Sequence, residues 1–319
     1  MTAPGLPTLD SIREAQEMLR QYLPVTRLVP APSLSTDTRK VYLKLETEMP
    51  TGTFKVRGAI WALSPNLRGK GLREVVTAST GNHGASVAYA GRLLGVTATI
   101  FLPRNPNQQK RKIIASLGAN IVEEGRDLTE AITKAAEYAE RSGAFVLNDA
   151  ADSELPAGPA TIACEILEQL PNVDAIYVPA GDTALIRGIG SAVRQLSPRV
   201  KVVGVQAANA PSYYLSWKEG RPVPTDSCDT IADGLATRTP VPANVSAIRE
   251  VVSGMRLVSE EEMLRAIRHL LLNEHIIAEP AGAASTAALL QEPPAAGNVV
   301  LVVSGANISA DVLRRAASL

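Results

Sequence analysis

From Glu74 to Leu147 the chain alternates short β-branched runs with amphipathic stretches that stop at glycine. Glu74–Thr77, Val96–Leu102, Asn120–Glu123 and Ala144–Leu147 are apolar and of strand length. Between them, His83–Leu94, Asn107–Leu117 and Leu128–Arg141 carry apolar residues at helical spacing and end before Gly95, Gly118 and Gly143. Leu128, Ile132, Ala135 and Ala139 share one helical face. Such strand–helix–strand alternation predicts a parallel sheet covered by helices on both faces.

The alternation resumes with a helix over Ala160–Gln169, a strand over Asp174–Val178, a helix over Ala184–Leu196 and a strand over Lys201–Val205. Ser259 stands three residues before Glu262, the capping-box spacing at a helix start. Glu279–Leu290 predicts a helix of small residues, Asn298–Val303 a buried strand and Ser309–Ala317 a closing helix. Gly220–Asn244, rich in proline and polar residues, predicts a long loop. The fold class is α/β, with two lobes that each hold a mostly parallel sheet flanked by helices. A ligand cleft is expected between the lobes.

Composition narrows the function. Hydrophobic residues make up 45% and charged residues 20%, the balance of a water-soluble globular chain. Aromatics are only 4%, so Ala, Val, Leu and Ile must build the core. Thirty-two basic residues balance thirty-two acidic ones, and no basic stripe interleaves with aromatics, which argues against nucleic acid as a partner. No apolar run approaches the roughly 18 residues of a membrane span. Met1–Asp10 lacks the charged and apolar regions of a signal peptide. Cys164 and Cys228 match no metal spacing and suit a reducing cytoplasm, the expected location.

Four segments carry chemistry. In Leu45–Ala59 a strand ends near Glu46, Pro50 and Gly52 force a turn, and a helix is expected to open at Thr53. Lys55 then lies in a first helical turn at the carboxyl end of a strand, where ligands of open α/β sheets bind. The helix's positive end and burial are expected to favour the neutral amine that attacks an aldehyde. Taken alone, the stretch better describes a solvated lysine capping a turn. Ser79-Thr80-Gly81-Asn82-His83-Gly84 sets hydroxyls, an amide and free backbone N–H groups at a helix start, an anion site suited to a carboxylate. Gly181-Asp182-Thr183-Ala184-Leu185 repeats the strand–turn–helix pattern and predicts a phosphate cradle. Ser304, at the end of a strand, is a cap or a hydrogen-bonding partner for a ring nitrogen.

Taken in this order, the segments resemble the fold-type II pyridoxal-phosphate enzymes of the tryptophan synthase β-like fold, in the serine/threonine dehydratase and serine racemase branch. Thr53-Phe54-Lys55-Val56-Arg57-Gly58-Ala59 resembles the family's Schiff-base motif, and Ser79–Gly84 its substrate-carboxylate loop. The resemblance implies pyridoxal 5'-phosphate as cofactor and a dehydratase that turns a β-hydroxy amino acid into a 2-oxo acid and ammonia. Threonine, serine or a bulkier analogue is the implied substrate. An amino acid racemase and a non-catalytic protein retaining the fold stay open beside it. By the same likeness Lys55 carries the cofactor and later moves the α-proton, Phe54 lies beside it, and Asn82 holds the 3-hydroxyl. Ser79, Thr80, Gly81, Asn82 and His83 bind the substrate carboxylate. Gly181, Asp182, Thr183, Ala184 and Leu185 cradle the phosphate, Glu279 sits near the ring, and Ser304 bonds the pyridine nitrogen. The likeness also implies a homodimer, with a large cofactor-binding domain over 1–69 and 149–319 and a small domain over 70–148.

Several positions depart from that pattern. Asp182 stands in a loop that is usually a run of glycines, and its charge would repel a phosphate unless it points away. Gln206, Ala210 and Ser212 fall where the family carries a divalent-metal site, and two carboxylates are missing, so no dedicated metal is expected. Ala150, in Asn148-Asp149-Ala150, replaces a larger residue and would widen the substrate pocket. Tyr213, Tyr214 and Trp217 share one expected helical turn. One packs in the core, and the others are expected to line a pocket for a bulky substrate. Thr80 stands where racemases use a serine to move a proton opposite the lysine. Its extra methyl ranks dehydration above racemisation.

Overall fold

The computed structural model describes residues 5–69, 71–106 and 108–319. Asn107, the expected start of one helix, and Met1–Pro4 lie outside the described residues. The first sheet has six strands in the order β1 (Leu28–Pro30), β2 (Arg39–Leu45), β10 (Gly297–Val303), β7 (Ala175–Pro179), β8 (Lys201–Ala207) and β9 (Gly254–Val258). Only the β1–β2 pair is antiparallel. The second sheet is all parallel, in the order β5 (Asn120–Glu123), β4 (Thr97–Leu102), β3 (Glu74–Ala78) and β6 (Phe145–Val146).

Thirteen α-helices complete the described residues. The first six are α1 (Leu9–Leu19), α2 (Lys55–Ala62), α3 (Pro65–Arg68), α4 (Asn82–Leu94), α5 (Gln108–Ser116) and α6 (Leu128–Ser142). There follow α7 (Ala157–Gln169), α8 (Ala184–Leu196), α9 (Ser212–Glu219) and α10 (Pro242–Val251). The last three are α11 (Glu260–Asn273), α12 (Pro280–Gln291) and α13 (Ala310–Ala317). Gly95 and Gly143 close α4 and α6 in the left-handed conformation expected of a C-cap glycine. The Ser259–Glu262 capping box forms at the start of α11.

Central strand β10 is buried throughout Val299–Val303, because parallel strands are covered on both faces. Small residues let α12 lie close behind it. A Cβ at Gly282 would overlap the Gly305 carbonyl, and Ser285 Oγ donates to the Tyr177 carbonyl at 3.0 Å. A further core packs α2 toward the second sheet: Ile60 and Trp61 of α2 cluster with Val87 of α4 and Ile100 of β4.

Three elements differ from the sequence reading. The helix after Pro50 opens at Lys55 rather than Thr53, because Thr53 instead bridges to Gly305. The segment Gly220–Asn244 is broken by a 3₁₀ turn at Asp233–Leu235 and ends in α10. Pro242 opens that helix, at a position whose N–H has no intrahelical partner anyway. Strand β9 was not expected. It lies at the sheet edge, paired only to β8, and only Val258 is fully buried, so it lacks a continuous apolar run.

Candidate active site

Strands β2, β10 and β7 are adjacent and parallel, so their carboxyl ends open on one edge of the sheet. Leu45 pairs with Val303, which sets the turn after β2 against the turn after β10. Phe54 N–H donates to the Ser304 carbonyl at 3.0 Å, Thr53 Oγ1 donates to the same oxygen at 3.2 Å, and Ala306 N–H donates to the Gly52 carbonyl. This staple places Lys55 beside Ser304. Strands β3 and β6 of the second sheet end opposite, carrying the Ser79–His83 loop and Asp149. Between the sheets lies a cleft of about 430 Å³, counting its open mouth.

Helix α2 is anchored from below. Arg57, fully buried, donates to Glu46 Oε2 at 2.8 Å, Glu165 Oε1 at 2.6 Å and Thr161 Oγ1 at 3.0 Å. Lys44 Nζ reaches Glu165 Oε2 at 2.5 Å and the Thr26 carbonyl at 2.8 Å. Two cations and two carboxylates thus balance beneath the helix that opens at Lys55.

Lys55 Nζ is in contact with Asp149 Oδ2. His83 Nδ1 lies 3.6 Å from the same oxygen, and His83 Nε2 is 3.1 Å from the Leu147 carbonyl. A carbonyl only accepts, so Nε2 carries a hydrogen, and Nδ1 faces Asp149. The expected neutral amine is not what this environment favours. Burial opposes the charge on Lys55, but the carboxylates of Asp149, Asp182 and Glu279 outweigh it and hold the pKa above the usual lysine range. Burial works against the charge of Asp149 as well, and His83 and Lys55 overcome it, holding Asp149 below the usual carboxylate range. Asp182 moves the other way. Burial, and then the charge of Asp149, push it up, while its Oδ1 accepts from Thr237 Oγ1 at 2.9 Å. Two carboxyls in one cleft are thereby driven apart, the arrangement that separates acid from base roles. The bond from Thr237 Oγ1 occupies Asp182 Oδ1, one of the two oxygens behind the expected clash with a phosphate.

The N-terminus of α8 faces the cleft through Gly181–Leu185. A Cβ at Gly181 would overlap the Gly234 carbonyl, so this position requires glycine. Thr183 holds φ at +70°, a strained conformation for a β-branched residue, and its buried Oγ1 has no partner among the described residues. An orphaned hydroxyl at a 13-residue helix's N-terminus is a donor set for an anion such as a phosphate.

Of the residues singled out in sequence, Phe54, Lys55, Asn82, Gly181, Asp182, Thr183, Ala184, Leu185, Glu279 and Ser304 line this cleft. Asn82 Nδ2 donates to Glu279 Oε1 at 2.7 Å, and its Oδ1 accepts from Asn307 Nδ2 at 2.7 Å. Ser79, Thr80 and Gly81 stay outside the lining, in the loop leading to Asn82, where Gly81 N–H donates to Ser79 Oγ at 3.3 Å. Ala150 is also outside it. Its N–H donates to Asn148 Oδ1 and its carbonyl accepts from Asn244. Sequence reasoning missed Asp149 and Asn307 as site residues, although the departure at Asn148-Asp149-Ala150 marked the first.

The aromatic cluster does not line the cleft. Tyr213 is fully buried, and its hydroxyl accepts from Val241 N–H and from Asn244, which in turn holds the Ala150 loop. Tyr214 stacks under Lys218, and Trp217 packs against the core. Gln206 Oε1 accepts from Tyr214 N–H, and Ser212 Oγ donates to the Thr237 carbonyl. Among the described residues, no group of three or more His, Cys, Asp or Glu is placed to hold a metal. None of the described helices is long and apolar enough to cross a membrane.

Known proteins converge on this geometry. An L-threonine ammonia-lyase from Thermotoga maritima is 37% identical over 310 residues, covering 97% of this chain and 77% of that protein. The processed form of threonine deaminase isoform 2 from Solanum lycopersicum superposes with a TM-score of 0.89 at 29% identity, covering 100% of this chain and 96% of the other. Maize serine racemase gives a TM-score of 0.90 at 27% identity, covering 97% and 96%. The profile of the pyridoxal-phosphate dependent enzymes matches residues 19–305. The chain therefore belongs to the pyridoxal-phosphate dependent enzyme family.

Proposed function

We propose that this protein is an ammonia-lyase that dehydrates a β-hydroxy amino acid, of the threonine or serine class, to a 2-oxo acid and ammonia. The observation that carries this reading is the meeting of Lys55, Asn82, Ser304 and the α8 N-terminus in one cleft. It is supported by the 37% identity to an L-threonine ammonia-lyase.

Pyridoxal phosphate, when bound, supplies an aldehyde for amines and an electron-withdrawing ring that acidifies an amino acid's α-hydrogen. The chain's own groups would do the rest. Backbone N–H groups over 181–185 and the Thr183 hydroxyl would hold the phosphate, Ser304 Oγ would face the pyridine nitrogen, and Asn82 the ring hydroxyl. Glu279, already tied to Asn82, would orient that amide. Phe54 and Leu185 would wall the ring. Lys55 must shed a proton before its amine can react, and Asp149 Oδ2, with His83 Nδ1 3.6 Å away, would hold the ammonium in the cleft until that proton leaves to solvent. Freed again, the Lys55 amine would remove the substrate's α-proton. Ser79, Thr80, Gly81, Asn82 and His83 would receive the substrate carboxylate at the start of α4, and Ala150 would leave room for its side chain. A cytoplasmic homodimer acting on a free amino acid, with no bound metal, completes the reading.

The test is spectroscopic and chemical. Protein saturated with pyridoxal phosphate should show a visible absorbance band that disappears in Lys55→Ala. A panel of β-hydroxy amino acids should release 2-oxo acid and ammonia, and Thr80→Ala should retain that release. A protein that never acquires the band overturns the cofactor assignment. Exchange of enantiomers without ammonia overturns the lyase assignment in favour of a racemase.

A further inference from the structure

Resting on the cleft as the cofactor and substrate site, we propose that Asp149 selects amino acids whose side chain carries a cationic nitrogen and turns away acidic ones. Asp149 lies on the cleft wall with its side chain only 14% exposed, and Lys55 supplies its one hydrogen bond from a side chain among the described residues. The neighbouring donors are committed elsewhere: the N–H groups of Ala150 and Ala151 go to Asn148 Oδ1. Asn244 Nδ2 grips the Ala150 carbonyl at 2.9 Å, and Tyr213 holds Asn244, so the loop cannot easily swing the carboxylate out of the cleft.

Lys55 is also the amine expected to react with an aldehyde. Once its nitrogen is joined to a carbonyl carbon, it no longer offers an ammonium to Asp149. A nearly buried carboxylate then faces the cleft with His83 Nδ1, 3.6 Å away and beyond hydrogen-bond distance, as its remaining neighbour, and an entering side chain that brings a donor takes the vacated position. The rest of the lining reinforces the sign of the preference. Asp182 and Glu279 are also acidic, and Lys55 is the only Lys or Arg among the described lining residues. A phosphate held at α8 adds further negative charge. An amine would be drawn to this wall and a second carboxylate repelled. Ala150, next in the chain, adds little bulk.

Amino acids without a β-hydroxyl separate recognition from turnover. Dissociation constants of 2,4-diaminobutyrate, its neutral isostere norvaline, and aspartate would be measured by calorimetry on the cofactor-loaded protein. The diamine should bind about tenfold or more tighter than norvaline, the lower end for a close desolvated charge pair. Aspartate should bind more weakly than norvaline. In Asp149→Asn both preferences should collapse to within about threefold, and Asp149→Glu should restore the order. Equal or tighter binding of norvaline overturns the proposal, as does a preference that survives unchanged in Asp149→Asn. Failure of the lyase reading shows differently: no β-hydroxy amino acid yields ammonia, whatever the binding order.

Discussion

Replacing Arg57 with methionine tests whether the buried charge cluster beneath α2 holds the amine-bearing helix in place. The guanidinium is 2% exposed and makes charge-assisted bonds to Glu46 and Glu165, whose side chains are 0% and 6% exposed. Removing it leaves two buried carboxylates to share one cation, Lys44. Breaking a buried pair from one side costs about 3–5 kcal/mol, chiefly because a charge is left without compensation. The dependence on pH has a definite sign. Burial raises the pKa of Glu165, but Arg57 and then Lys44 outweigh it, so its folded-state value is depressed. A depressed carboxylate stabilises the fold above its unfolded value, about 4.3, and loses that contribution as pH falls through the folded value. In Arg57→Met the chief lowering influence is gone while burial remains, so the carboxyl moves up and its penalty shrinks on acidification. Urea unfolding of the cofactor-loaded protein should show the full loss at pH 8 and a smaller one near pH 5. Adding Glu165→Gln to Arg57→Met should recover part of it at pH 8. A loss under about 1 kcal/mol at pH 8, or one that does not change with pH, would refute the reasoning.

Other expectations follow from single positions. Thr183→Gly should relieve left-handed backbone strain of about 1–3 kcal/mol, yet weaken retention of pyridoxal phosphate by removing the orphaned hydroxyl. Denaturation midpoints and equilibrium dialysis would read the two effects, and a variant unchanged in both would contradict the assignment. Gly158→Ala should destabilise the protein by about 1–3 kcal/mol, because its Cβ would collide with the Arg57 carbonyl where α7 crosses α2. A neutral effect in thermal unfolding would show that the helices separate freely. Burial pushes the Cys164 thiol up to about 11, whereas Cys228 is only partly buried. A thiol reagent at pH 8 should therefore label Cys228 first and reach Cys164 only on unfolding. Equal labelling rates, followed by mass spectrometry, would contradict the packing of α1 against α7.

Local pattern carried much of this molecule. Period and glycine punctuation located most strands and helices, because the side chains that decide them are sequence neighbours. Motif order identified the Lys55, Asn82, Gly181–Leu185 and Ser304 segments before any fold was known, and the strand ends bring all four together. Where the apolar signal was weak, as at edge strand β9, or hidden behind prolines, as at α10, the reading failed.

What only the tertiary structure decided is which distant groups meet. Lys55 and Asp149 are 94 residues apart, and Asn82 and Glu279 are 197 apart. Their contacts depend on how the two sheets face each other and on the pairing of Leu45 with Val303. No local signal encodes those. The charge state of Lys55 reversed for the same reason. A helix terminus is visible in sequence, but the three carboxylates that outweigh burial arrive from the ends of β6, β7 and the start of α12. Sequence determines which chemistry each segment can offer, whereas electrostatics acts through space and is settled only when the segments are packed together.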